Sequence, residues 1–477
     1  MGVPMCKIDI RPNLALLLFL VIVASGCGPG PVTKGTETQK KAVPAEHRFV
    51  VLDPGHFHAA LVFKKPSYQG VSSLVGIYAP VGEDFVDHMA RVVPFNTRNE
   101  DPASWRYHIC LGPNCQEKML EEKFGDIAVL SGKNQPKIDR ILACVRGGLN
   151  VLADKPWVID SRKLAVLDTV ITEARSRGLV IYDIMTERFE ITTTVQRFIV
   201  NDEAVFGKVV PGSPDDPAVV KKSVHHLYKI VAGRPNKRPW WFFDTAVQGE
   251  GVVDVTTHLV DMVFWTLFPE LPIDYRKDIE MVSASHWPTI ISREEFGKVT
   301  GLAAFPSPFA LDKEGRLPYY CNGRMNYRLK GVNVQTQVEW KFEAPEGSGD
   351  THYSIIKGSK AHVLVLQGKE QNYLPEVYII PAPGVQDIRA VEEPLKALIG
   401  RLASTDYPGI SLSAEGNRWH IAIPDKYRVG HEAHFGQVAD RFLSFLDGKP
   451  VPEWEYANLL AKYYVTTSAL ELAARNP

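Results

Sequence analysis

Gly148-Leu149-Asn150-Val151-Leu152-Ala153-Asp154-Lys155-Pro156 is the stretch that decides the fold. The glycine pair Gly147-Gly148 closes a helical run from Lys137 to Arg146, as glycine does at a helix C-terminus. Val151-Leu152-Ala153 then runs apolar without alternation, as in strands of a parallel sheet covered on both faces. Pro156 biases Lys155 towards extended backbone, so the strand delivers that lysine to the sheet's carboxyl edge. Open parallel sheets bind ligands at that edge. Upstream, Asp126 to Asn134 reads DIAVLSGKN, a second apolar strand followed by a loop carrying Ser131 and Asn134.

The same rhythm extends in both directions. Phe49 to Leu52 is a strand that stops at Asp53-Pro54-Gly55, and His58 to Lys64 follows with helical spacing. Leu74 to Tyr78 is a strand, Asp84 to Val93 a helix, and Met119 to Phe124 another helix. Asn96 to Pro113, polar and irregular, reads as an inserted loop. Arg162 to Arg177 is helical and Leu179 to Tyr182 a strand. Alternating strands and helices of this kind predict an α/β fold: a Rossmann-type doubly wound parallel sheet over residues 47–190. From 191 to 477 the texture changes to long β-type runs, Asn326 to Phe342, His352 to Leu366 and Val377 to Ile380. Val332, Val334, Thr336, Val338 and Trp340 alternate, which predicts an α+β domain around a large, mostly antiparallel open sheet. Glu432 to Leu446 and Tyr456 to Ala474 are amphipathic helices, and the open sheet offers a surface for a homo-oligomer.

The N-terminus has a different character. Lys7 and Arg11 precede the apolar run Leu14 to Val23, long enough for a signal h-region and too short to span a bilayer. Ala24-Ser25-Gly26-Cys27 resembles the lipobox of bacterial lipoproteins, which implies cleavage after residue 26 and lipidation of Cys27. Residues 27–46 have almost nothing to bury and read as a flexible tether. The expected location is a bacterial membrane, facing the periplasm through a lipid anchor. With 54 basic against 55 acidic residues, nothing points to a nucleic-acid partner. Cys110 and Cys115 are close enough in sequence to pair in an oxidising compartment, and no CxxC pair suggests zinc.

Three motifs carry the chemistry. Val51 to His58 reads VLDPGHFH, a strand entering a turn and then a helix. A dinucleotide turn needs small residues there, so that backbone N–H groups approach the pyrophosphate. Gly55 takes the middle glycine position, whereas Asp53 and His58 stand at the outer two, and a carboxylate at Asp53 would repel phosphate. The rival reading pairs Asp53 with His56-x-His58 as a metal site of an amidohydrolase barrel, recruiting His225, His226, Asp254 and His258. The stretch 148–156 resembles the GKHVLCEKP segment of the Gfo/Idh/MocA oxidoreductases, with Asp154 for glutamate, and 126–134 resembles that family's DAVVIATPN strand and loop. The third motif, Gly249 to Asp261, resembles GGGxLxDxGxHxxD and places Asp254 and His258 four residues apart.

The DPGHFHA turn, Lys221 to Tyr228, Arg238-Pro239-Trp240-Trp241-Phe242 and Gly430 to His434 resemble a lipoprotein branch of that family with a divergent C-terminal domain. The aromatic patch suits either core packing or stacking on a sugar face; His431 and His434 read as helix-cap or surface residues. The resemblance implies NAD or NADP, tightly bound, against Pro54, Gly55, His56, Phe57, His58, Ser131, Asn134, Asp154 and Lys155, with no metal assigned. The second strand ends Tyr78-Ala79-Pro80 without an acid for the ribose, which leaves both dinucleotides open. Lys155, Asp254 and His258 are the implied catalytic residues: Lys155 polarises a sugar, glycoside or polyol hydroxyl and His258, oriented by Asp254, takes its proton. The alternatives are a glycosidase working by transient oxidation and elimination, a sugar-binding lipoprotein without catalysis, and the metal-dependent amidohydrolase.

Overall fold

The computed structural model describes residues 7–10, 47–231, 234–307 and 309–475; the apolar run, Cys27 and the tether lie outside the described residues. The first sheet contains β1 (Lys7–Ile10), β2 (Phe49–Leu52), β3 (Leu74–Ala79), β4 (Arg106–Leu111), β5 (Ile127–Leu130), β6 (Asn150–Asp154) and β7 (Ile181–Ile184). Their order is β1-β4-β3-β2-β5-β6-β7; β2 to β7 run parallel, and β1 lies antiparallel on β4. The winding reverses between β2 and β5, so a crevice opens where their carboxyl ends diverge. Asp53 to His58 leave β2 there, and Ser131 to Asn134 leave β5.

One expectation fails in this sheet. The polar stretch 96–113 is not a loop throughout, because Arg106–Leu111 is β4. Tyr107 and Ile109 face the core while Arg106 and His108 are more open, an alternation that a search for fully apolar strands passes over. Trp105 anchors the approach, its Nε1 donating to the carbonyls of Phe63 and Lys65 at 3.0 Å. Nor do Cys110 and Cys115 pair: Cys115 is a buried thiol, and burial pushes its pKa up.

The second sheet has nine strands: β8 (Val219–Tyr228), β9 (Ile279–Ile291), β10 (Leu317–Leu329), β11 (Val332–Glu343), β12 (Thr351–Lys357), β13 (Ala361–Gln367), β14 (Glu376–Pro381), β15 (Ser411–Glu415) and β16 (Arg418–Ala422). The order is β9-β10-β11-β8-β12-β13-β14-β16-β15, antiparallel except where β11 runs parallel to β8. The run read as continuous from Asn326 to Phe342 is a hairpin. Lys330 and Gly331 turn it with φ of 50° and 82°, as a two-residue type I′ connection requires. Val334, Thr336 and Val338 point into the core as the alternation predicts.

The boundary near 190 separates the sheets but not the packing. Phe435, Val438 and Phe442 of the helix His431–Leu446 join Phe49, Val51 and Ile77 on one face of the first sheet. Leu459 and Tyr463 of the helix Glu453–Arg475 pack on the opposite face, while Val465 and Ala469 reach the second core. The first of these helices therefore covers the first sheet, and the second bridges the two domains. Among the described residues no helix is long and apolar enough to cross a membrane.

Candidate functional site

The turn after β2 keeps a glycine-like backbone despite its missing glycines. Asp53 has a φ of 45°, left-handed backbone that glycine adopts freely and other residues adopt at a cost. Its carboxylate is withdrawn from the crevice, accepting from Arg140 Nη1 at 2.7 Å. The repulsion expected between Asp53 and phosphate is thereby removed. At Gly55 an added Cβ would stand 2.8 Å from the Trp241 ring and 3.0 Å from Asp84. Trp241 Nε1 donates to both Asp84 oxygens at 3.0 Å, and Lys133 donates to the same carboxylate at 2.8 Å. Pro54 is buried beside Gly55, and Phe57 is half-buried under the Arg91 guanidinium. The aromatic patch of the second domain thus lies over the turn: Phe242 stacks on the His56 ring, with centroids 6.5 Å apart and planes at 22°.

His56 and His58 both aim Nδ1 at Asp154, across the end of β5. His58 Nδ1 is 2.9 Å from Asp154 Oδ2, and His56 Nδ1 is 3.6 Å away. Ser131 Oγ donates to the same oxygen at 3.0 Å. Burial lowers the pKa of both imidazoles, so they are neutral at pH 7. Burial alone would raise the Asp154 carboxyl, but His58 and Lys137 outweigh it and hold it well below the usual carboxylate range. Asn134 departs from its expected place. Its Nδ2 donates to the Gln248 carbonyl at 2.7 Å and its Oδ1 accepts from Lys137, so it ties the domains together instead of facing the crevice.

Lys155 and Asp254 meet across the domain boundary, Nζ donating to Oδ1 at 2.6 Å; Gln248 donates to Oδ2 at 3.1 Å. This corrects the expected Asp254–His258 pairing. The helix runs Thr256–Leu267, so Asp254 lies in the turn before it and shares no helical face with His258. His258 Nδ1 is buried without a hydrogen bond among the described residues. Burial, and then the Lys155 charge, push its pKa down to about 3.

Two groups at this crevice were not assigned to it from sequence: Glu187, and His431, which with His434 was read as a helix-cap or surface residue. Glu187, just beyond β7, lies 3.3 Å from His431 Nδ1 at the start of the helix His431–Leu446. The His431 ring is 5.7 Å from that of His58, so that helix contributes a carboxylate-backed imidazole, and His434 is buried behind it. The only signal was GHEAH itself, whose spacing says nothing about a partner 244 residues away. His225 and His226 instead share Asp350, at 3.3 and 2.9 Å, on the second sheet. No barrel exists to carry the amidohydrolase reading, which the fold overturns.

The family model described as "Putative oxidoreductase C terminal domain" matches residues 195–474. The chain is 47% identical to a crystal structure described as a "putative oxidoreductase" from Parabacteroides merdae ATCC 43184, with a TM-score of 0.88 over 91% of this chain and 99% of that one. Levoglucosan dehydrogenase, in complex with NADH and levoglucosan, superposes with a TM-score of 0.56 at 10% identity over 90% of this chain and 98% of that one. GenD2 from gentamicin A biosynthesis, in complex with NAD, gives 0.55 at 14% identity over 94% and 98%. No curated protein matches. With a Rossmann sheet and this C-terminal domain in one chain, the protein belongs to the oxidoreductase family defined by that C-terminal domain.

Proposed function

We propose that the protein oxidises a hydroxyl of a sugar, glycoside or polyol with NAD or NADP, at a bacterial membrane to which a lipid on Cys27 anchors it. The observation that carries the reading is the Lys155–Asp254 contact: two domains bring opposite charges together at the crevice where such sheets bind ligands. The solved relatives in complex with NADH and levoglucosan, or with NAD, support the cofactor and the substrate class.

The turn fits a dinucleotide. Backbone from Pro54 to Phe57, the imidazoles of His56 and His58, Ser131, Asp154 and Lys155 are the groups that would hold it. The Trp241 indole covers Gly55 from the other domain, which favours a cofactor retained through many turnovers. Retention suits a site outside the cytoplasm, where no nucleotide pool recycles a freely exchanging cofactor. A nicotinamide bound there supplies the hydride acceptor. Lys155, fixed by Asp254, donates to the substrate oxygen and favours its anionic form. His258 is neutral and its Nδ1 is unengaged, so it receives the hydroxyl proton.

A second reading, glycoside cleavage by transient oxidation and elimination, is favoured by the His431–Glu187 pair, a further acid–base group beside the same crevice. Absorbance and mass of nucleotide released on denaturing the protein test the main reading; a nucleotide-free protein with no turnover on sugars overturns it. Solvent deuterium entering the carbon beside the oxidised one would mark the elimination route. Cys27→Ala should abolish lipid labelling, and undiminished labelling overturns the anchor.

A further inference from the structure

We propose that His56, His58 and Asp154 bind a divalent first-row transition-metal ion at the floor of the interdomain crevice. Metal bonds of about 2.0–2.2 Å to nitrogen and oxygen place neighbouring donors roughly 2.9–3.5 Å apart. The distances from Asp154 Oδ2 to His58 Nδ1 and His56 Nδ1 are 2.9 and 3.6 Å, and all three donor atoms lie within 4.8 Å of one another. The His56 nitrogen is beyond hydrogen-bond length from the carboxylate, and its one hydrogen bond among the described residues is a long one from the His58 backbone N–H, at 3.4 Å.

The charge balance points the same way. Asp154 is buried, yet among the described residues no lysine or arginine nitrogen lies within 4 Å of its carboxylate oxygens. Its neighbour Lys155 is turned onto Asp254, and Lys137 reaches Asp154 at its backbone carbonyl, at 2.8 Å, and not at its carboxylate. The imidazoles and the Lys137 charge beyond them already favour the ionised carboxylate, and a bound metal would add a direct positive partner. Ser131 already orients the carboxylate, as outer partners do for metal ligands. Two imidazoles and one carboxylate leave coordination positions open towards His431, on the crevice side. The metal would share these side chains with the dinucleotide reading above, and it is argued from their own geometry.

The test uses mature protein without a histidine tag, stripped by chelator, dialysed against Co²⁺ and freed of excess metal. Elemental analysis and the visible cobalt spectrum are read on the same sample as released nucleotide. One Co²⁺ per chain is expected. His56→Ala, which removes no hydrogen bond to Asp154, should lose the cobalt spectrum while melting close to the parent protein. Asp154→Asn, nearly the same shape, should lose it too. Substoichiometric Co²⁺ in the parent protein, or equal binding by parent and both variants, overturns the site. Nucleotide without cobalt overturns the metal and spares the oxidoreductase reading; cobalt without nucleotide supports the metal and counts against that reading.

Discussion

Asp254→Asn probes the joint on which the proposed chemistry rests. Asp254 and Lys155 are 6% and 8% exposed, and their 2.6 Å contact links the end of β6 to the turn before the helix Thr256–Leu267. Asparagine keeps the shape and one acceptor but strands the ammonium in a buried site. Breaking a buried pair from one side costs about 3–5 kcal/mol. For a folded part of roughly 430 residues, the unfolding entropy is about 0.9 kcal/mol per degree, so the melting temperature should fall by about 3–6 °C. Lys155→Met removes the stranded charge, so the double variant should recover most of that loss, with a coupling of roughly 2 kcal/mol or more. Calorimetry of the parent, both single variants and the double, at pH 7, measures the cycle. Burial alone would raise the Asp254 carboxyl, but Lys155 holds it below its ordinary 3.8. Its contribution is therefore fully present above pH 3.8 and is lost only as pH falls through the lower folded value. Additive losses in the cycle, or an unshifted melting temperature in Asp254→Asn, would refute the pairing.

Gly55→Val should push Trp241 off the turn and lose retained nucleotide, because the new side chain starts 2.8 Å from the indole; an unchanged nucleotide content refutes that placement. His258→Ala should cut turnover by roughly 10²- to 10⁴-fold while nucleotide stays bound, since the residue belongs to the second domain; unchanged turnover removes it as the base. Stability should fall as pH drops from about 6.5, because burial lowers His258 and His352 to about 3 and His434 to about 4. The unfolded chain takes up those protons first, so the loss these imidazoles cause runs across that window, and they add no pH dependence above it. Urea midpoints between pH 4 and 8 measure this, and a midpoint that does not fall below pH 6.5 contradicts the burial of these imidazoles.

The strands that fix the fold were legible because a parallel sheet buries both faces, and Val50-Val51-Leu52, Ile127 to Leu130 and Val151 to Ala153 carry no other reading. β4 was not, because it alternates at the sheet's periphery, and neither was the Lys330-Gly331 turn, because lysine seldom takes a left-handed backbone. Lys155 was legible through its place at a strand end, a local property. Its partner was not, since Asp254 is set by a packing between domains, and four-residue spacing to His258 promised a helical face that begins two residues too late.

The histidines show the same limit from the other side. The pattern His56-x-His58 signalled metal chemistry but attached it to Asp53, the carboxylate next to it in sequence. The fold turns Asp53 backwards onto Arg140 and supplies Asp154 from two strands away. His431 arrives from the far end of the chain because the last two helices complete the covering of the first sheet. Packing demand therefore decides which groups meet at the crevice. A helix recruited to cover apolar strands carries Phe435 and Phe442 into the core, and by the same placement sets the His431 imidazole 5.7 Å from that of His58.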